Sequence, residues 1–461
     1  MMKRYIHGLL LMLMPMMIVL LSGCGIYTHY KRPGNLPVEG LYRDSLGRND
    51  TTSIVTLSWK QLFTDPELTS LIEEGLSRNT DLQKALLQTE EAQATLRQSH
   101  AAFLPSLSLT PQGELSSLDG SKTTKTYSLG ASSSWEVDAF GSLRNNALQK
   151  KAALQQTEAY ALAVRTKLIA TIADGYYSLL MLDRQLEITE QTIDSWQEDV
   201  KAKTAMKEAG RATEAEVNQA EANCLGAQHS ALKLKQQISE QENSLSTLIG
   251  RTPQAIRRST LKEQQFPTSL AVGVPLSLLG KRPDVMQAEY MLKKAFYGVN
   301  KARSAFYPSI TLSGTAGWTN STGAIIVNPG KLLLTAVGSL TQPLFSKGLN
   351  EAGLKIAKAQ YQEALLGYTQ SILDAGAEVN NALKQWQTAL AKQQNDRQQI
   401  EKLTAAERNI TLLMSNGSTN YLDVLTARQT LLSARLTAVS DRLDEIEGII
   451  SLYHALGGGT E

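Results

Sequence analysis

The sequence lacks the features that mark nucleic-acid binders and helical membrane proteins. Among its 461 residues, 20% are charged and the formal net charge is only +2. The clustered basic excess of a protein that binds phosphate backbones is therefore missing. Beyond the N-terminal segment there is no run of about twenty apolar residues, so the rest of the chain is predicted to hold no transmembrane helix.

The sequence also has little that indicates catalysis or a disulfide framework. It contains only two cysteines, Cys24 and Cys224, and five histidines that lie far apart without metal-ligand spacing. No glycine-rich phosphate loop occurs, and nothing arranges serine, histidine and aspartate into a triad. We therefore expect no enzyme, no metal site and no cofactor. The lone Cys224 is predicted to pack inside a helical region.

The N-terminus reads as a targeting segment. Two basic residues precede an apolar stretch, which ends in Leu21-Ser22-Gly23-Cys24. Small residues followed at once by cysteine are typical of a bacterial lipoprotein signal, although an ordinary signal peptide with a chance cysteine is the alternative. We predict that residues 1–23 are a signal peptide and that Cys24 carries the lipid of the anchored segment 24–65, with two or three acyl chains. Gly25 is compatible with export to the outer membrane.

The main organisational feature is an internal duplication. Residues 101–109 recur as residues 304–312, and residues 210–217 recur as residues 417–424. The offsets, about 203 and about 207, stay nearly constant over a hundred positions, which indicates two copies of one unit. We assign a first repeat to residues 66–250, an inter-repeat linker to 251–283, a second repeat to 284–456 and a C-terminal tail to 457–461.

Each repeat begins with a helix and two strands. The helices are predicted from Pro66 to about Ala102 and from Asp284 to about Ala305, because proline follows shortly after each. Apolar and polar residues then alternate, most clearly over 127–137 and 309–318. Stretches of about ten such residues have the length of tilted membrane strands.

A helical hairpin completes each repeat. No proline interrupts residues 143–208 or 349–415, so each stretch is predicted to form a helix of about 65 residues, roughly 100 Å long. Gly210 and Gly417 mark turns, and a returning helix of about 37 residues follows each. In the second copy, apolar residues keep a heptad spacing from Leu425 to Ile450, which predicts a coiled coil.

Four strands in one chain predict an oligomer. An open sheet of four strands in lipid leaves backbone groups unpaired, whereas three chains would supply about twelve strands, which can close. The predicted fold is mainly α with membrane β: a duplicated unit, a long antiparallel coiled-coil barrel, and a trimer that closes a twelve-strand β-barrel. Candidates for an interfacial aromatic girdle, or for packing between protomers, are Trp135, Trp318, Tyr127 and Tyr307.

Several motifs resemble a known family. They are Trp59 and Phe63, Asp65-Pro66-Glu67-Leu68, Asp81-Leu82, Leu279-Gly280-Lys281-Arg282-Pro283-Asp284-Val285, and Ala305-Phe306-Tyr307-Pro308-Ser309-Ile310. With these the sequence resembles the outer membrane factor family, in the lipid-anchored, TolC-like branch that serves resistance-nodulation-division pumps. The resemblance implies a homotrimer with a periplasmic helical tunnel. It also implies a periplasmic adaptor, an inner-membrane pump and a passive exit duct in the outer membrane.

The turns at the far end of the tunnel are the candidate functional site. Small residues there would let an adaptor helix approach closely, so Gly210, Thr213, Gly417 and Asn420 are predicted to contact the adaptor. Leu422 and Asp423 are predicted to form the gate. The family often has an acidic residue where this sequence has Thr426, and we expect Asp423 to replace that charge. The alternative is a solvated aspartate favoured by a helix start.

Three other functions stay open. A duct for metal-ion efflux or for type I protein secretion would share this architecture, and a periplasmic adaptor lipoprotein would share the lipid signal. Adaptors carry one hairpin, however, whereas this chain carries two. Six of the eleven methionines lie in the signal segment and the others do not group, so we favour small organic cargo over soft metals.

Overall fold

The structure is a computed structural model that describes residues 28–34, 36, 38, 41, 58–117, 123–266, 280–319 and 333–460. For residues 124–127 and 333 only the backbone is described. The predicted signal peptide, Cys24 and the side chain of Tyr127 lie outside the described part of the chain. The lipid attachment and the assigned boundaries of the repeats therefore stay predictions.

The first half of the chain contains the helices, strands and hairpin predicted for one repeat. In chain order its elements are α1 (Trp59–Leu62), α2 (Pro66–Arg78), α3 (Thr80–Ala101), β1 (Ser106–Ser116), β2 (Thr124–Val137), α4 (Ser142–Glu208) and α5 (Glu214–Leu248).

The second half repeats this order after a 3-10 turn at Leu261–Glu263. Its elements are α6 (Pro283–Ser304), β3 (Ser309–Thr319), β4 (Leu333–Thr341), α7 (Leu349–Ser415) and α8 (Tyr421–Ala455). Both β1 and β3 have 11 residues, and their starts lie 203 positions apart. Both long helices, α4 and α7, have 67 residues, and their starts lie 207 positions apart. The predicted duplication and its two offsets are confirmed.

The predicted single helix from Pro66 to Ala102 is wrong, because it breaks at Asn79. Asn79 is extended, with ψ of 125°, and its side-chain oxygen accepts a hydrogen bond from the Leu82 amide at 2.9 Å. Its side-chain nitrogen donates to the Leu248 carbonyl at 2.8 Å. An asparagine that bonds nearby backbone groups in this way competes with a continuous helix. The break therefore ties the start of α3 to the end of α5.

The four strands form one antiparallel sheet in the order β1-β2-β3-β4. Pairing within the repeats sets Ser106 opposite Ser134 and Ser309 opposite Thr341. Pairing between the repeats sets Val137 opposite Ile310. Strands β1 and β4 are the sheet edges, and their described leucine side chains, at positions 107, 109, 115, 334 and 340, are strongly exposed, as expected of side chains that face lipid or a neighbouring chain.

The chain divides into two compact units, and the main core lies in the larger one. Unit 1 comprises Met1–Leu36, Glu90–Gln156 and Ala288–Tyr368, and unit 2 comprises Pro37–Thr89, Thr157–Gln287 and Thr369–Glu461. In unit 2 one apolar cluster joins both halves of the chain, because it takes side chains from α1 to α5, α7 and α8. Its most deeply buried members include Ile72, Ile172, Tyr176, Leu180, Leu245, Ile446 and Leu452.

Two of the candidate girdle residues are held by contacts within unit 1. The indole nitrogen of Trp135 donates to the Phe103 carbonyl at 2.9 Å. The ring of Tyr307 stacks on that of Phe140, with centroids 5.3 Å apart. Both side chains and that of Trp318 are still more than a third exposed. A place at the membrane interface therefore stays a prediction for all three.

Within the described residues, no helix has the length and mean hydropathy of a membrane span.

Candidate functional site

The first hairpin tip, between α4 and α5, is closed by a glycine in a left-handed conformation. Gly210 has φ of 71°. Its amide donates to the Lys207 carbonyl at 2.9 Å, and the Arg211 amide donates to the Met206 carbonyl at 2.8 Å. These two bonds satisfy carbonyl groups at the helix end, and glycine has no Cβ to clash there. Thr213 then begins α5, since its hydroxyl accepts a hydrogen bond from the Glu216 amide.

The second tip, between α7 and α8, has the same geometry 207 positions later. Gly417 has φ of 74°. Its amide donates to the Met414 carbonyl at 3.0 Å, and the Ser418 amide donates to the Leu413 carbonyl at 2.9 Å. Asn420 caps α8 by accepting a hydrogen bond from the Asp423 amide at 3.0 Å. A Cβ added at Gly210 or Gly417 would meet nothing within 4 Å, so both tips are open surfaces.

Asp423 lies in the first turn of α8, where a carboxylate is favoured by the helix dipole. Its carboxylate accepts a hydrogen bond from the Thr419 hydroxyl. In the first repeat Glu216 holds the equivalent position and accepts from the Thr213 amide at 3.1 Å. Within one chain, then, Asp423 stabilises the tip. Its predicted second role in the gate concerns the assembled trimer and stays a prediction.

Leu422 and Thr426 occupy the exposed surface beside Asp423. The Leu422 side chain is 65% exposed. The hydroxyl of Thr426 turns back to the Leu422 carbonyl at 2.9 Å, so it satisfies itself within the helix. Threonine carries no charge, so Thr426 does not replace the acidic residue that the family often has there. Asp423 is the acidic group in the first turn of α8.

A network that the sequence analysis missed ties α8 to the two long helices. The Tyr421 hydroxyl donates to the Asp199 carboxylate on α4. Arg428, two turns further along α8, lies 3.6 Å from Asp199 and 3.2 Å from Glu407 on α7. The Lys203 ammonium lies over the Tyr421 ring, 3.8 Å from its centroid. Apart from Arg428 and Glu407, which are 21 positions apart, the partners lie more than two hundred positions apart in sequence, so no spacing rule indicates the pairing.

Burial strengthens this network. Burial first, and then the hydrogen bond to Asp199, raises the pKa of Tyr421, so its hydroxyl stays protonated and keeps donating. The ring packs in a small apolar cluster with Trp196, Cys224 and Leu425. Cys224 is buried and free, as predicted for a packing cysteine.

The motif Arg282-Pro283-Asp284 forms the join between the repeats. Pro283 is the first residue of α6, where a missing amide hydrogen costs nothing. The buried Arg282 guanidinium donates to the Asp284 carboxylate, to Glu378 on α7 and to the Ala455 carbonyl, at 2.6 to 3.0 Å. Such a fully paired buried charge holds three chain segments together.

Within the described residues no three histidine, cysteine, aspartate or glutamate side chains group as metal ligands.

Comparison with protein families gives one match that covers both repeats. The family described as outer membrane efflux protein matches residues 71–251 and 274–458.

Individual relatives match over nearly their full length. The chain is 30% identical over 464 residues to the cation efflux system protein CusC of Escherichia coli, covering 97% of this chain and 99% of that protein. It is 28% identical over 458 residues to the toluene efflux pump outer membrane protein TtgI of Pseudomonas putida, covering 96% and 97%. The open-state crystal structure of the Neisseria gonorrhoeae MtrE outer membrane channel matches with a TM-score of 0.81 and 27% identity, covering 94% and 99%.

Proposed function

Because the chain belongs to the outer membrane efflux protein family, we propose that its two hairpin tips are the gate and the docking site of a passive exit duct. The chain is the outer-membrane channel component of a tripartite efflux system. It acts as a homotrimer, together with a periplasmic adaptor and an inner-membrane transporter of the resistance-nodulation-division class. Small molecules leave through the lumen of the trimer, and the chain itself supplies walls and a gate.

The open edges of the sheet explain why three chains are needed. In the single chain β1 and β4 each have one side without a partner strand. Unpaired backbone groups in lipid cost several kcal/mol each. Three four-stranded sheets joined edge to edge remove all such edges, because a closed ring of strands has none.

The gate proposal rests on the contact between the Tyr421 hydroxyl and the Asp199 carboxylate. This hydrogen bond fixes the first residue of α8 to α4, and Arg428 adds a contact to α7. Leu422 and Asp423 follow Tyr421 directly and project from the same helix turn. As long as this hydrogen bond is formed, the three copies of Leu422 and Asp423 in the trimer stay near the channel axis and narrow the channel. Breaking the hydrogen bond between Tyr421 and Asp199 would let the second tip move outward.

The open glycine turns support adaptor docking at the same end of the hairpins. Nothing lies within 4 Å of the space beside Gly210 and Gly417, so another helix tip can approach the backbone closely. Thr213 and Asn420 cap the helices that follow and leave their own outer faces exposed. A partner that docks on both turns would cover equivalent surfaces of the two repeats.

We propose small organic compounds as the cargo and metal ions as the alternative. The relatives include a cation efflux protein and a toluene efflux protein, so the family carries both classes. The methionines of the described chain are spread over three helices, at Met181, Met206, Met286, Met291 and Met414. A channel for soft metal ions would be expected to have its methionine side chains close together.

We also propose that Cys24 anchors the channel to the outer membrane by its covalent lipid. The relatives named above are efflux and channel proteins and not enzymes. We extend this to the present chain and propose that it acts without catalysis and needs no cofactor besides that lipid.

The gate is tested by single-channel recording in planar bilayers. Tyr421→Phe keeps the ring and its packing but removes the hydroxyl that donates to Asp199, so we expect a higher conductance than that of the parent. Asp423→Ala is expected to raise conductance or to change cation preference. Tyr160→Phe, at an exposed position of α4, is the matched control and should conduct like the parent. If both tip variants also conduct like the parent, the gate lies elsewhere.

A further inference from the structure

Unit 2 contains a cavity that neither the proposed gate nor the proposed docking site uses. The cavity has a volume of about 580 Å³ and is lined by α4, α7, α8 and the 3-10 turn at Leu261–Glu263. Its lining includes the buried apolar side chains of Ile188, Leu261 and Val439. A volume of this size is typical of pockets that bind small molecules, which measure roughly 300–1,000 Å³.

Five cationic side chains line this cavity, and no acidic side chain of the described chain does. They are Arg184 on α4, Lys262 in the 3-10 turn, Arg397 on α7, and Arg435 and Arg442 on α8. The whole chain has a formal net charge of only +2, so this concentration of positive charge is local. We refer to the cavity with these five side chains as the basic cavity.

Two carboxylates contact the cations of the basic cavity. The Arg184 guanidinium lies 2.5 Å from the carboxylate of Glu187. The hydrogen bond from Arg184, with a smaller effect of the Lys262 charge, lowers the pKa of Glu187. Arg442 forms an ion pair with Glu445. These contacts use both carboxylates and hold Arg184 and Arg442 in place.

Arg397 and Arg435 have no such partner. Among the residues that the structure describes, neither guanidinium forms an ion pair or a hydrogen bond, and both side chains are exposed. Five cations thus face two carboxylates, which leaves an excess of three positive charges. Like charges that share one cavity repel one another, and neighbouring apolar side chains strengthen the repulsion by lowering the local dielectric constant.

The first repeat shows a balanced version of the same contact. There Lys235 on α5 forms an ion pair with Glu190 on α4 at 2.9 Å. Both helices of the hairpin recur 207 positions later, so the equivalents of Lys235 and Glu190 are Arg442 and Arg397. A second cation therefore replaces the acid in the second repeat. The negative charge that balances it has to come from outside this helix pair.

We propose that the basic cavity binds a small organic anion with two or three negative charges, carried by carboxylate or phosphate groups. The forked guanidinium group of arginine binds both kinds of group through paired hydrogen bonds. Arg184 and Arg442 form the fixed wall, and the exposed Arg397 and Arg435 close on the anion from the open side. The bound anion thereby joins α4, α7, α8 and the turn between the repeats. The cavity lies within one chain, so this site is independent of the proposed gate and docking surface.

Binding is measured by isothermal titration calorimetry on the full-length protein in a mild detergent. The probes are citrate and inorganic phosphate, and sodium chloride keeps the ionic strength equal in all samples, so that general screening is constant. We expect at least one of the two probes to bind at one site per chain. It should also raise the midpoint of thermal unfolding, because a ligand that binds only the folded state stabilises it. Comparison of the two probes shows whether the site prefers carboxylates or phosphate.

Three variants of the basic cavity test the assignment. Arg397→Gln and Arg435→Gln each remove one cation and should weaken binding by about tenfold, as the loss of a charge-assisted contact implies. Arg397→Glu supplies the acid of the first repeat. It should abolish binding and raise the unfolding midpoint without a ligand, because it can pair with Arg442. Arg408→Gln, at an exposed position of the same helix outside the cavity, is the matched control and should bind like the parent.

A parent protein that binds neither probe would overturn the proposal. Binding by Arg397→Glu as tight as that of the parent would also overturn it. If Arg408→Gln weakens binding as much as Arg397→Gln does, the anion responds to the general charge of the helix and the basic cavity is not its site. The unfolding midpoints measured without a ligand show that each variant is folded, so a loss of binding reports on the site itself.

Discussion

Asp423 shows which structural features of a single residue can be predicted from the sequence and which cannot. Its position just after a glycine turn predicts exposure near a helix start, and the structure confirms that placement. Its hydrogen bond with Thr419 depends on the local turn geometry, which a spacing pattern does not specify. The tie between Tyr421 and Asp199 joins residues 222 positions apart. Such a pairing follows only from how α4 and α8 pack.

The lipid anchor depends on one sulfur atom. We predict that Cys24→Ser abolishes incorporation of labelled palmitate, because serine offers no thiol for the thioether bond. The parent should be labelled, and Cys224→Ala serves as the matched control that keeps its label. Palmitate found on the Cys24→Ser protein would contradict the assignment.

Asp174 on α4 predicts a pH dependence of stability. One of its carboxylate oxygens is buried without a partner. Burial, with a smaller effect of the Glu447 charge on α8, raises the pKa of Asp174 to about 7. The folded state thus favours the protonated form more than the unfolded chain does. The resulting stabilisation is complete below the ordinary pKa of 3.8 and is lost as the pH rises through about 7.

We therefore expect Asp174→Asn to be more stable than the parent at pH 8, by about 2 kcal/mol, since an amide avoids the buried charge. The difference should shrink at pH 5. Thermal unfolding of the detergent-extracted protein at both pH values is the measurement. Asp194→Asn, at an exposed position of the same helix, is the control. An Asp174→Asn variant no more stable than the parent at pH 8 would be inconsistent with this account.

At the scale of elements, the sequence predicts most helices and strands because their signals are local. The long helices follow from two stretches without proline, and both contain 67 residues. The break at Asn79 was missed although its signal is local, since the side chain caps the next helix by accepting from the Leu82 amide; only its second bond, to the Leu248 carbonyl, joins distant segments. The strand order was not predicted either. Pairing of β2 with β3 joins segments separated by the helices α4, α5 and α6, and the alternation within each strand does not indicate which strand lies beside it.

The second tip gives a prediction about one turn. Gly417→Trp should reduce efflux, because a bulky side chain occupies the open surface where the adaptor is expected to dock. Gly417→Ala, like Gly417→Trp, places a Cβ at a positive φ, which costs roughly 1–2 kcal/mol of stability. Alanine adds little bulk, however, so this variant should retain efflux. Gly226→Trp adds the same bulk at an open position of α5. Drug susceptibility is measured in cells that supply adaptor and pump, together with the amount of folded trimer.

The tip assignment fails if Gly417→Trp supports efflux as well as Gly417→Ala does. It also fails if Gly226→Trp causes the same loss of efflux at an equal amount of folded trimer.

At the scale of the whole molecule, the duplication is what made the fold predictable. Two offsets in the sequence indicated two copies of one unit, and the same offsets relate the elements of the structure. The family and the channel function followed from motifs in both halves and agree with the family match over both repeats. The shared core of unit 2 could not be predicted from the sequence, since its members come from seven helices, α1 to α5 with α7 and α8, that spacing alone does not bring together.

The trimer is the assembly on which the gate, the docking surface and the closed sheet all depend. Native mass spectrometry of the full-length protein, extracted in a mild detergent, tests it most directly. We predict a single species with the mass of three lipid-modified chains. A stable monomer that conducts ions in planar bilayers would contradict the account, because a single four-stranded sheet has two open edges and encloses no lumen.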